Sequence, residues 1–166
     1  MKKGAIYIGV DPAFRRDGFR ACVVDYADRT VRFLAFDSVL HWHDWLRSED
    51  APLPEINLVT VIIENSYLQN QNFDMTGSRS EIARKGRNVG TNQAVSQLAY
   101  QSAIGRYGKI NVFEVSPRKK GAKWTDVQAK TVAMGEGLLL SRSNQDERDA
   151  FKLAMMGRNL KQYEQH

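Results

Sequence analysis

The run Ala5-Ile6-Tyr7-Ile8-Gly9-Val10 constrains this chain most, because it offers no polar face to water. A strand of that kind is buried on both sides, so it lies centrally in a sheet with a layer against each face. Asp11-Pro12 ends it at once and leaves a carboxylate at its C-terminal end. Two more strand-like runs follow closely. One is Gly18 to Asp25, centred on Ala21-Cys22-Val23-Val24; the other is Val31 to Phe36, after a turn at Asp28-Arg29. Strands this near in sequence pair antiparallel with the least connecting chain. Ser38 is placed to cap a helix carrying Leu40, Trp42, Trp45 and Leu46, which Ala51-Pro52-Leu53-Pro54 brings to an end. Leu58 to Ile63 is a fourth apolar strand, and it too is closed by an acid, Glu64.

From Asn65 to Gly90 the chain turns to Asn, Gln, Ser, Gly and Arg, and its apolar period fades. A long loop is expected there, with room for one helical turn near Ser80 to Lys85; loops of that length in compact domains are usually functional or mobile. A helix follows over Thr91 to Tyr107, with Ala94, Val95, Leu98, Ala99, Ser102 and Ala103 as its small-residue stripe and Gly108 as its stop. Ile110 to Val115 makes a fifth strand, Pro117 to Lys123 a basic turn, Thr125 to Glu136 a helix, and Asp146 to Asn159 the last helix. Helices between strands imply crossovers and parallel pairs. The expected class is α/β: a five-stranded mixed sheet flanked by helices, in one domain over residues 1–166.

Other classes fall away on simple grounds. No apolar run nears the ~18 residues of a membrane span. The basic Met1-Lys2-Lys3 is followed by too short an apolar run to read as a secretion signal. With a single cysteine, Cys22, no internal disulfide can form, and its apolar neighbours suggest a buried thiol. A cytoplasmic protein without a membrane partner is expected. The net charge of +5, with a pI near 9.4, permits a polyanionic partner without requiring one.

Chemistry is concentrated in the carboxylates. If the first and fourth strands are neighbours, Asp11 and Glu64 enter one crevice at the sheet's end. Asp146 and Asp149 are spaced i, i+3, so one helical face presents both. Each element has a plain alternative: acids often end strands, and acids in a first helical turn offset the helix dipole, with Ser143 or Asn144 as the cap. Together, with no accompanying His or Cys cluster, they make a hard oxygen site suited to Mg²⁺ or Mn²⁺ and not to zinc. Two such ions roughly 3.5–4 Å apart would activate water and stabilise the leaving oxygen in phosphodiester hydrolysis. His41 and His43 belong to the Trp-containing amphipathic segment, and His166 ends the chain.

The ordered set of segments resembles the RNase H-like superfamily, and within it the RuvC-type Holliday junction resolvases. Ile8-Gly9-Val10-Asp11-Pro12 is similar to the family's opening strand, and Val61-Ile62-Ile63-Glu64 to its second acidic motif. Gly90-Thr91-Asn92-Gln93-Ala94 resembles the start of its long helix. Phe113-Glu114-Val115-Ser116-Pro117, with the basic run after it, resembles the strand and turn that follow. Asp146-Glu147-Arg148-Asp149-Ala150 resembles the terminal Asp-x-x-Asp-Ala motif. The resemblance implies that Asp11, Glu64, Asp146 and Asp149 hold Mg²⁺ or Mn²⁺, two ions in all. It also implies cleavage of branched DNA by a homodimer joined through helix 91–107. The chain departs from the pattern at Ala13, where glycine is usual, in the bulky Phe14-Arg15-Arg16, and in a longer segment after Glu64.

Two basic groups flank these elements: Arg79, Arg84, Lys85 and Arg87, then Arg118, Lys119, Lys120 and Lys123. They are either solvated surface or contacts to DNA phosphates, which position a duplex without reading its sequence. Tyr67 or Phe73 could stack on an unpaired base, or pack beneath the loop. The expected activity is therefore a metal-dependent, structure-selective endonuclease for four-way junctions. The rivals are a related nuclease for flaps or RNA–DNA hybrids and a junction-binding protein without catalysis. A sugar-kinase or actin-like ATPase shares an Asp after its first strand, but this chain has neither the length nor the Gly-rich phosphate loops for one.

Overall fold

A computed structural model describes residues 4–13, 18–65 and 77–164, the side chains at 82, 85–89 and 161–164 excepted. Five strands, β1 (Gly4–Asp11), β2 (Phe19–Asp25), β3 (Thr30–Phe36), β4 (Asn57–Glu64) and β5 (Val112–Val115), form one sheet in the order β3-β2-β1-β4-β5. The apolar opening strand β1 lies at its centre. It pairs antiparallel with β2 and parallel with β4, β2 pairs antiparallel with β3, and β4 pairs parallel with β5. The expected mixed sheet is thus the one found.

Alternation along β1 decides what each face carries. Ile6, Ile8 and Val10 join Val59, Val61 and Ile63 of β4 in a core shared with helices α1 (Val39–Leu46) and α2 (Arg79–Tyr107). That side holds an aromatic group in which Trp42 stacks on Trp45 and meets Phe19 and Phe36, while the Trp42 indole donates to the Ala99 carbonyl at 3.1 Å. On the opposite face, Tyr7, Cys22 and Val24 pack on Ala150, Phe151 and Ala154 of α5 (Gln145–Glu164), with α4 (Asp126–Gly135) beside them. Cys22 is the buried thiol expected. Ile62 faces Leu153 on that same side. Gly9 also faces α5, and a Cβ there would stand 1.9 Å from the Ala150 carbonyl oxygen. Helix and strand therefore touch backbone to backbone.

Four segments differ from expectation. Helix α2 starts at Arg79, well before Thr91, because Ser78 and Glu81 form a reciprocal capping box. Gly90, a boundary by sequence, lies inside the helix, where its cost of ~1 kcal/mol is absorbed by the turns on either side. The small-residue stripe also divides: Val95, Ala99 and Ala103 are buried against the sheet, whereas Ala94 and Leu98 are exposed. Lys109–Asn111 forms a 3₁₀ turn, so β5 begins at Val112. Finally, the basic turn is a short helix, α3 (Pro117–Lys120), capped by the Ser116 hydroxyl and ended by Gly121 at φ 80°.

Candidate active site

Strand alternation that puts Val10 and Ile63 into one core puts Asp11 and Glu64 on the other face, towards α5. The parallel register pairs Val10 with Ile63, so the two acids end adjacent strands side by side. Asn65 fixes this end of β4. It is fully buried, its N–H donates to the Val115 carbonyl at 2.8 Å, and its side-chain amide donates to Glu114 at 2.9 Å.

The first turn of α5 overhangs the same strand ends. Asn144 caps it: the Glu147 N–H donates to the Asn144 side chain at 2.8 Å, and the Asn144 N–H donates to the Glu147 carboxylate at 2.9 Å. Asn144 is thus the cap, one of the two candidates expected, and Asp146 lies in the first helical turn, where its charge also offsets the helix dipole. Asp149 is buried and accepts from the Gln145 amide at 2.8 Å; Asp146, half-buried, sits one turn earlier on that face. Arg148 has the sequence look of a solvent position, but it binds the carbonyls of Ser143 and Trp124 and the Gln145 side chain. The α5 turn is thereby tied to the segment entering α4.

Burial acts on Asp11 first, and the charges of Glu64, Asp149 and Asp146 add to it, pushing its carboxyl up to about 7; Lys120 opposes them. All four acids expected from sequence therefore share one electrostatic site. Lys120 stands among them. It is ion-paired with Glu64 and lies 3.6 Å from Asp149, with its side chain 9% exposed. The Glu64 Oε2 it meets is buried and, among the described residues, has no hydrogen-bond partner apart from this ammonium. Burial works against the charge on Lys120, but Asp11, Glu64 and Asp149 outweigh it and hold its pKa above the ordinary lysine value.

Unlike the other members of its basic run, Lys120 turns towards the acids and not to the exposed surface. A basic run in a sequence does not disclose which member turns inward; the end of α3, beside the end of β4, makes that choice. Arg118, Lys119 and Lys123 remain exposed, as do Arg79 and Arg84 on the first turns of α2. The side chains of Lys85 and Arg87, and all of Tyr67, Phe73 and Phe14-Arg15-Arg16, lie outside the described residues. Gln145, Asn65 and Arg148 carry no functional expectation from sequence. For Asn65 and Gln145 the only signal is adjacency to an acid or a position one turn from one.

The donor chemistry fits a hard divalent cation: the donors are all oxygen, and the negative charge exceeds what one lysine neutralises. As arranged, however, no group of three or more His, Cys, Asp or Glu among the described residues closes up enough to hold an ion. Two of the carboxylates are held by Lys120 instead. No helix among the described residues is long and apolar enough to cross a membrane.

Fold and site together define an α/β protein with an acid cluster at the C-terminal end of its two central parallel strands. No protein-family model matches the sequence, and no curated protein matches it significantly. Among solved structures it is similar to T. thermophilus RuvC in complex with Holliday junction substrate. The two share 16% sequence identity, with 96% of each chain covered and a TM-score of 0.47.

Proposed function

We propose that the chain is an RNase H-like, metal-dependent endonuclease that hydrolyses phosphodiester bonds in four-way DNA junctions. The observation that carries this reading is the convergence of Asp11, Glu64, Asp146 and Asp149 from two strand ends and one helix. Those four residues would hold Mg²⁺ or Mn²⁺. The ions would supply an activated water and stabilisation of the leaving oxygen. Gln145 orients Asp149, and Asn65 anchors the strand end bearing Glu64. Exposed Arg118 and Lys119 share α3 with Lys120, so DNA phosphates bound by them lie beside the acids.

Branched DNA is the substrate favoured by the ordered motifs. A homodimer joined through α2 would aim two active sites at the two symmetric strands of a junction. Exposed Leu98 and Ala94 are available for that pairing, and Leu98 lines an open, mostly apolar groove with Val39 and Leu40. Val95 and Ala103 of the same helix are committed to the core.

A second reading, a junction-binding protein without catalysis, draws on one observation: Lys120 already neutralises part of the acid cluster. The deciding experiment incubates the protein with a synthetic four-way junction, a linear duplex, a flap and an RNA–DNA hybrid, with Mg²⁺ or EDTA. Mg²⁺-dependent nicking restricted to the junction supports the proposal. Preference for the flap or hybrid moves it to a related nuclease, and junction binding without nicking supports the second reading.

A further inference from the structure

We propose that Lys120 is a displaceable counter-cation: its ammonium fills the carboxylate cluster in the metal-free protein and leaves when divalent ions bind. The inference rests on the metal-binding part of the function proposed above, and on no particular substrate. Three observations lead to it.

The ammonium stands among the carboxylates that would hold the ions. It pairs with Glu64 from β4 and approaches Asp149 from α5, so it bridges two of the elements that carry those carboxylates. One monovalent charge against four acids leaves the cluster underneutralised. A divalent ion neutralises more of it and can accept several oxygens at once, which an ammonium with three donors does less well.

The surrounding chain lets the side chain leave without moving the backbone. Just past Lys120, Lys152 of α5 donates to the Ala122 carbonyl and lies 5.2 Å over the Trp124 ring, while Arg148 donates to the Trp124 carbonyl at 3.0 Å. On the near side, the Ser116 cap holds the start of α3. Both flanks are fixed, so release is rotation of one flexible four-carbon stem. Once released, the ammonium joins exposed Arg118 and Lys119 on α3 and is free to meet a phosphate. Ion loading would then add a DNA contact as well as completing the acid site.

Lysine footprinting of the wild-type protein tests this without any variant. The protein is acylated briefly with and without Mn²⁺, and each lysine's labelling is read by mass spectrometry. Lys120 should be protected in EDTA and label at least fivefold faster with Mn²⁺, while exposed Lys119 stays constant. Calorimetry supplies a second reading. Lys120→Met, checked for an unchanged circular dichroism spectrum, should bind Mn²⁺ at least tenfold more tightly than wild type, equivalent to about 1.4 kcal/mol. Unchanged Lys120 labelling with Mn²⁺, or equal or weaker Mn²⁺ binding by the folded variant, overturns the proposal. If both readings hold and the junction is still not cut, the nuclease reading fails while this inference stands.

Discussion

Replacing Gly9 with alanine should damage both the fold and the site, because β1 and α5 meet there through backbone. The added Cβ would lie 1.9 Å from the Ala150 carbonyl oxygen, 2.4 Å from the Ala154 nitrogen and 3.0 Å from the Leu153 Cβ. The first of these is roughly 1.5 Å inside ordinary van der Waals separation. No rotamer change relieves the first two clashes, since both are with helix backbone. Helix α5 must lift from the sheet or β1 must bow away. Overpacking against movable side chains costs ~1–3 kcal/mol, and a clash with fixed backbone belongs at or above the top of that range. Gly157 is an internal control on the same helix. A Cβ there meets the Ile62 side chain at 2.7 and 3.2 Å and the Tyr7 ring at 3.5 Å, groups that can shift. Urea denaturation should therefore show Gly9→Ala losing about 3 kcal/mol or more and Gly157→Ala about half that. Lifting α5 also carries Asp149 away from Asp11, so Gly9→Ala should lose junction cleavage under conditions where it remains folded. A Gly9→Ala loss below ~1 kcal/mol, or the reverse order of the two variants, would refute the reasoning.

Three further outcomes can be measured. Asp11 has a folded pKa of about 7 against an ordinary 3.8, so the native state binds the extra proton, and this group's destabilisation grows from pH 4 to pH 7. In EDTA, Asp11→Asn should gain on the order of 2–4 kcal/mol over wild type at pH 8 and little at pH 4, while abolishing Mg²⁺-dependent cleavage and sparing junction binding; parallel stability profiles would remove the burial argument. Neutralising Arg118, Lys119 and Lys123 together should flatten the salt dependence of DNA binding by about 0.9 for each phosphate no longer bound, and an unchanged slope returns these residues to plain solvated surface. Leu98, 54% exposed, should accept glutamate without loss of fold, so Leu98→Glu should sediment as a folded monomer where wild type is a dimer; a monomeric wild type in the presence of junction DNA ends the dimer reading.

What the sequence discloses and what it conceals divide along a physical line. Strand composition is local: the apolar β1, the neighbouring β2 and β3, and the acids closing β1 and β4 are legible from spacing alone, and neighbouring parallel strands then bring Asp11 beside Glu64. The Asp146–Asp149 spacing likewise survives folding, because an i, i+3 relation is a property of the helix itself. The start of the long helix is concealed because Gly90 masks a stronger signal, the Ser78-x-x-Glu81 capping box, in a stretch whose polar composition looks like loop. A helix whose described N-terminal side chains are exposed lacks the apolar period by which helices are usually recognised. Lys120 is hidden for another reason. In sequence it is one of three consecutive basic residues, and the choice among Arg118, Lys119 and Lys120 depends on where a four-residue helix points at the end of β5. That direction is set by Ser116, by Gly121 and by the hold of Arg148 and Lys152 on the segment beyond, hydrogen bonds that span as many as 30 residues. Helix α5 thus does two jobs at once: it presents Asp146 and Asp149 to the strand ends, and through Arg148 and Lys152 it anchors the segment that follows Lys120, the cation beside Glu64 and Asp149.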